Sequence, residues 1–354
     1  MSPRLLLSCL MLLMLAACAS IGPATLRRDR LDYADALADA AKRETLLNIV
    51  KLRYADTPSV VTVSQLVAGY TMEGRVDLRS SFFTNDFSID DDVSFGVGGT
   101  FSDRPTVTYT PIRGDDFVRI MLTPIPPSEL FAMLAAGAPD NLTLGLVIQS
   151  INGLQNWAAD SQAAIRGEPH FAEVIDLLGE LRRERVLGFR FDTQVAPRSV
   201  LLLLNAPEGK PLDPRARRLL DLLNLDPELR SFPIRFGFGD GRATEIRVYT
   251  RSLIEILGNL AAQIDVPDSD VADGRTYPTR VMGEDLGSLP LLAVRSRELR
   301  PLGPFAAVEY RGTWFWIDDR DYASKRVFTV VMLLLNLVEK PAEQQLPVIT
   351  IPTG

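Results

Sequence analysis

Three patterns in the sequence predict an α+β fold: a mixed or antiparallel sheet with packed helices, including a long β-hairpin near the N-terminus. Apolar residues recur at near-3.6 spacing over 31–54 and at two-residue spacing over 60–110. Beyond that point, short helix-like and strand-like runs are interleaved. In the first segment Tyr33, Leu37, Ala40 or Ala41, Leu46 or Leu47, and Val50 form one apolar stripe, and Pro58 blocks its extension.

The alternation over 60–110 is broken by a polar loop at 84–92. On one limb Val76, Leu78 and Phe82 alternate with Asp77, Arg79 and Ser81. On the other, Val93, Phe95, Val97, Gly99 and Phe101 alternate with Ser94, Gly96, Gly98 and Thr100. This predicts a hairpin over 76–101, with Asp90, Asp91 and Asp92 as like charges that keep its tip in water. Residues 117–122 predict a short helix stopped by the run from Thr123 to Pro127. Pro127 opens the next helix, through Ala136, because its fixed φ suits a first turn.

Residues 142–151 predict a buried strand, and 171–186 an amphipathic helix with the basic rim Arg182, Arg183 and Arg185. Strands are predicted at 189–191, 200–204 and 232–238, with a helix at 214–223 between the last two. A strand at 245–250 feeds a helix at 253–264. Residues 265–304, rich in Pro, Gly and Asp, predict irregular chain interrupted at 289–294. Strands at 306–310 and 313–317 flank Arg311-Gly312 as a tight hairpin, and a helix at 322–340 leads to a strand at 347–351. The expected division is 31–115, helix plus hairpin, and 116–354, an α+β domain. There is no internal repeat.

The N-terminus carries an address. A basic start at Arg4, an apolar stretch over 5–15 and small residues before a cut predict a secretory signal peptide over 1–17. Its last residues, Leu15-Ala16-Ala17, together with Cys18 resemble the lipobox of bacterial lipoproteins. That resemblance implies a lipid attached to the Cys18 thiol, cleavage before it and acylation of the new amine. A cut before the other cysteine, Cys9, leaves an apolar core of only four residues after Arg4. Ala19 and Ser20 follow Cys18 in place of an Asp, which in that class implies the outer membrane. Residues 18–30, with Gly22, Pro23 and the basic trio Arg27, Arg28 and Arg30, predict a lipidated tether near anionic head groups.

The formal charge of −7, or −8 once Arg4 is lost, argues against nucleic acid, which requires a net basic face. Among 38 basic residues 33 are Arg, a skew that codon bias explains as well as function does. A hydrophobic content of 46% is ample for a core. Past the leader, the longest apolar run, 327–338, is too short to span a bilayer and includes Asn336.

Candidate chemistry is sparse. The single histidine, His170, follows Pro169 in a predicted first helical turn, a place for a surface or capping residue. Nucleophilic triads need such a base, and zinc sites need Cys and His. No nucleophile elbow or phosphate-binding loop occurs. The segment from Asp268 to Gly274 resembles a calcium loop, but its glycine is one place late and Thr279 stands where Glu belongs, so it reads as a solvated acidic loop. The run from Trp314 to Asp321 offers two readings. Asp318, Asp319 and Asp321 beside Trp314 and Trp316 form a carboxylate group for glycan hydrolysis, or, more simply, the acids cap the following helix.

Three runs resemble an uncharacterised family of Gram-negative lipoproteins: Leu46 to Tyr54, Thr108 to Pro111 with Leu122 to Pro127, and Trp314 to Asp321. The resemblance implies an outer-membrane location and no mechanism, catalytic residue, cofactor or metal. The expected function is a lipid-anchored, non-enzymatic binding or assembly component of an envelope complex, facing the periplasm and meeting an envelope protein. One alternative is a subunit of an oligomeric outer-membrane channel using the hairpin 76–101. A second is a carboxylate-dependent envelope hydrolase.

Overall fold

The computed structural model describes residues 21–67, 70–85, 88–103, 106–157, 168–192, 199–205, 211–239, 241–280 and 291–338, with side chains described over 31–61 and from 107 onward. Helices and mixed sheets make up these residues, in the α+β class.

Helix α1, Ile21–Arg53, is 33 residues long and begins within the segment expected to be a tether. Pro23 falls in its first turn, where a missing N–H costs no hydrogen bond. Its C-terminus is closed by a Schellman motif. Ala55 adopts φ of 55°, its N–H donates to Leu52 O at 3.2 Å, and the Asp56 N–H donates to Lys51 O at 2.8 Å. Lys51 and Arg53 in the last turn favour the negative end of the helix.

The chain separates into two compact units. One holds α1 through Pro58 together with the described residues from Phe117 to Val338. The other holds Ser59 to Asp116. Helix α1 therefore groups with the C-terminal body, across the division expected at 115. In the smaller unit β1, Val61–Val67, pairs antiparallel with β4, Thr106–Pro111. Strand β2, Tyr70–Asn85, pairs antiparallel with β3, Ser88–Asp103, from Tyr70 opposite Asp103 to Asn85 opposite Ser88. Asp90, Asp91 and Asp92 lie opposite Phe83, Phe82 and Ser81, within this ladder rather than in a loop over 84–92. Backbone pairing is indifferent to side-chain polarity, so polar residues do not end it.

In the larger unit a π-helical turn, Val118–Leu122, stands where a short helix is expected. Helix α2, Pro127–Ala135, has its proline in the first turn. Residues 142–151 are not one strand. Helix α3, Asp140–Val147, turns directly into β5, Ile148–Ile151. Strand β6, Leu154–Gln155, and helix α4, Pro169–Arg183, follow. Next come β7, Leu187–Asp192; β8, Ser199–Leu204; α5, Pro214–Leu222; β9, Ser231–Phe236; and β10, Ile246–Thr250.

These strands form one sheet in the order β6-β5-β10-β9-β8-β7, parallel only between β9 and β10. Val200, Leu202 and Leu204 alternate with half-buried neighbours and share the buried face with Phe232, Ile234, Ile246 and Val248. Helix α6, Leu253–Ala261, starts with a capping box, in which Ser252 accepts from the Glu255 N–H and Glu255 accepts from the Ser252 N–H.

The described residues of 265–304 hold a short helix α7, Asp268–Ala272, and β11, Arg295–Arg297, where irregular chain is expected. Leu292 and Val294 are buried but lie before the strand. Strands β12, Pro304–Tyr310, and β13, Thr313–Asp318, meet at Arg311-Gly312. Both turn residues have positive φ, 51° and 83°, which matches the right-handed twist of a hairpin. The sheet order is β11-β13-β12. Helix α8, Tyr322–Val338, buries Val327, Phe328, Val331 and Leu334. The strand expected at 347–351 lies outside the described residues.

Candidate functional site

The outward face of the three-stranded sheet gathers two tryptophans and several arginines. On β13 Phe315 and Ile317 are fully buried, so alternation turns Trp314 and Trp316 to the other face, where both are half-buried. The ladder sets Arg297 opposite Trp314 and Arg295 opposite Trp316. The Arg297 guanidinium lies 4.9 Å from the Trp316 ring centre, and that of Arg300 lies 5.4 Å from Trp314. Exposed pairs of this kind contribute about 0.5–1 kcal/mol each.

Arg297 also organises the loop that follows it. Its Nε donates to Leu299 O at 2.7 Å and its Nη2 to Arg300 O at 2.9 Å. Gly303, at φ 58°, returns the chain to β12. The loop thereby holds Leu299 and Leu302 out in solvent, 77% and 97% exposed. A groove lies on either side. One, of about 720 Å³, is lined by Lys42 and Arg43 of α1 with Arg300, Phe305 and Trp314. The other, of about 560 Å³, is lined by Arg295, Arg297, Trp316 and Arg320. Lys42 and Lys325 bracket the Phe305 ring at 5.1 and 5.5 Å.

The three acids expected here have separate partners. Asp321 caps α8, accepting from the Ser324 N–H at 3.0 Å and from its hydroxyl at 2.6 Å. Asp318 accepts from the Arg320 N–H at 3.0 Å and lies 3.5 Å from Arg295. Asp319 pairs with Lys325 at 3.0 Å. His170 is exposed in the first turn of α4.

A second cluster was not visible in the sequence. Where α1 ends, Arg53 is 1% exposed and donates to Ala262 O at 3.3 Å and Tyr277 O at 2.7 Å. Its guanidinium lies 3.9 Å from the Tyr277 ring centre, and its Nε meets no acceptor among the described residues. Burial pulls its pKa below the ordinary value. The adjacent Tyr54 donates to Asp270 Oδ2 at 2.6 Å. Burial, then that bond, raises the tyrosine pKa. Asp270 also pairs with Arg275 at 2.9 Å. The segment expected to be a solvated acidic loop thus supplies a buried acceptor, because α7 turns Asp270 inward toward Tyr54.

Arg251, 2% exposed, donates to the carbonyls of Gly145, Leu146 and Trp157 and lies 4.7 Å from the Trp157 ring. Burial draws its pKa down to about 10, which leaves it charged at neutral pH. These two arginines close backbone acceptors and serve packing. Arg295, Arg297 and Arg300, by contrast, are exposed and line the two grooves.

Among the described residues no three His, Cys, Asp or Glu side chains gather as a metal site, and no helix is long and apolar enough to cross a membrane. Cys18 lies outside the described residues, as do the side chains of 76–101. No family model, curated protein or solved structure matches the chain.

Proposed function

We propose that the chain is a lipoprotein anchored to the outer membrane through Cys18, facing the periplasm. In this reading it is a non-enzymatic binding or assembly component of an envelope complex. The observation that carries the anchor is the leader ending in Leu15-Ala16-Ala17 before Cys18. Three acyl chains exceed the two attachments that stable anchoring takes. The binding role draws support from the face of Trp314, Trp316 and their arginines, which offers surface without a reacting group. The acids beside it have capping and pairing partners. In cells, Cys18→Ser should abolish incorporation of labelled palmitate and accumulate precursor. An unmodified N-terminus on the purified wild-type protein would refute the anchor. Crosslinking in intact cells should then recover an envelope protein with the wild type.

A second reading follows from the ladder of β2 and β3, two 16-residue strands. A tilted membrane strand needs about 9–11 residues, so copies of a long hairpin over this region would be able to close an oligomeric pore. Detergent-extracted rings whose ion conductance vanishes on deleting 76–101 would support it. A strictly monomeric protein in detergent would exclude it.

A further inference from the structure

The exposed leucines beside the arginine and tryptophan face call for a partner of definite chemistry. A leucine that is 97% exposed is tolerable on a floppy loop, but here the loop is braced. Arg297 holds two of its carbonyls while resting on Trp316, and Gly303 sets its return. Leu299 and Leu302 therefore protrude in a fixed arrangement. The shape is convex, a ridge between two grooves, with cationic side chains on both flanks. A surface complementary to it is soft, apolar below a thin layer, and negatively charged at that layer.

We propose that the loop at 298–303 is a membrane-docking element. In it Leu299 and Leu302 enter the interfacial zone of an anionic phospholipid bilayer while Arg295 and Arg300 meet its phosphates. Charge complementarity selects this occupant. The protein carries −7 overall, so generic attraction to an anionic surface is absent. Around the ridge, in contrast, Lys42, Arg43, Arg295, Arg297, Arg300 and Arg320 stand against Asp39, Glu298, Glu309, Asp318 and Asp319, so the local balance is slightly positive on a chain that is acidic as a whole. Trp314 and Trp316, half-buried behind the ridge, are of the residue type favoured where hydrocarbon meets head groups. The inference rests on the anchored reading only for the nearness of a bilayer.

The test uses the chain from residue 18 with Cys18→Ser, which bears no acyl chain, and sedimentation with vesicles. Vesicles of equal parts phosphatidylglycerol and phosphatidylcholine should bind it, and pure phosphatidylcholine should bind at least about tenfold less. L299S/L302S should reduce partitioning by at least about tenfold with an unchanged melting temperature, since both side chains already lie in water. R295Q/R300Q should weaken binding and flatten its salt dependence. Bound wild type should show a blue shift of tryptophan emission that L299S/L302S lacks. Absence of binding to the anionic vesicles, or equal binding by L299S/L302S, would overturn the proposal. So would crosslinking of this loop to a protein alone. Acylation of Cys18 is read separately by mass spectrometry, so an unmodified cysteine with intact vesicle binding would defeat the anchor and spare the loop.

Discussion

Arg53 and Arg251 point into the protein, whereas Arg297 and Arg300 lie over tryptophans on its surface. Among the described residues no carboxylate is hydrogen-bonded to the inward pair. Their donors go mainly to main-chain carbonyls, at 262 and 277 and at 145, 146 and 157, with the Thr279 hydroxyl a further acceptor for Arg53. Each thus ties together chain segments that are far apart in sequence, at the cost of keeping a charge in a poorly solvated place. The outward pair spend some donors on their own loop, or none within it, and keep their faces on indole rings. The same residue type thus secures the body in one region and covers an exposed indole face in the other.

The sharpest way to break this contrast is at Arg251. Arg251→Ala should lower unfolding free energy by about 3–5 kcal/mol in denaturant titration, through a cavity and orphaned carbonyls together. A loss below about 1 kcal/mol would mean that water takes over those acceptors. Next is Tyr54→Phe, which removes one buried hydrogen bond and should cost about 1–2 kcal/mol.

The tyrosine also has a pH signature. Its folded-state pKa lies above the ordinary 10.0, so its contribution is present below pH 10 and is lost as pH rises beyond it. Tyr310, raised by burial and its bond to Asp56, acts in the same direction. Arg251, lowered toward about 10 from 12.5, acts oppositely between those values. Both of these are common to wild type and Tyr54→Phe. The stability gap between the two proteins should therefore narrow above pH 10, and a constant gap would contradict the assignment.

Smaller effects separate capping from surface pairing. Asp321→Ala should cost about 1 kcal/mol as a lost helix cap. Asp319→Asn, at an exposed pair, should stay within about 0.5 kcal/mol. Arg300→Gln should also change stability by less than about 0.5 kcal/mol by thermal melting, because its ring contact is exposed. A larger loss there would make the outward face part of the framework.

What could be read from the sequence was what local pattern controls. The stripe from Tyr33 to Val50, the prolines at 127 and 169, the turn at Arg311-Gly312 and the acids before α8 all carry their reasons within a few residues. Helix α3 was missed because an apolar run over 142–147 suits either element, and what ends it comes from afar. Asn156 donates to Gly145 O and Ile148 O at 2.7 and 2.6 Å, and Arg251 donates to the Gly145 and Leu146 carbonyls. The inward turn of Asp270 depends likewise on Tyr54, 216 residues earlier. At the candidate site, Trp314 and Trp316 on one strand face were legible from alternation. The partners that cover them were not, because the pairing of β11 with β13 brings Arg297 opposite Trp314.

If both proposed attachments hold, helix α1 turns them into a posture. At about 1.5 Å per residue it is a rod of roughly 50 Å. The leucine ridge stands beside its middle, near Lys42 and Arg43, about 30 Å along from Ile21. A lipid at Cys18 and a ridge seated in the same leaflet are compatible only if the rod lies down along the membrane, like a fallen mast. With that anchor but without a docked ridge, the body would swing on its N-terminus, and its reach from the bilayer would grow by up to the length of that mast.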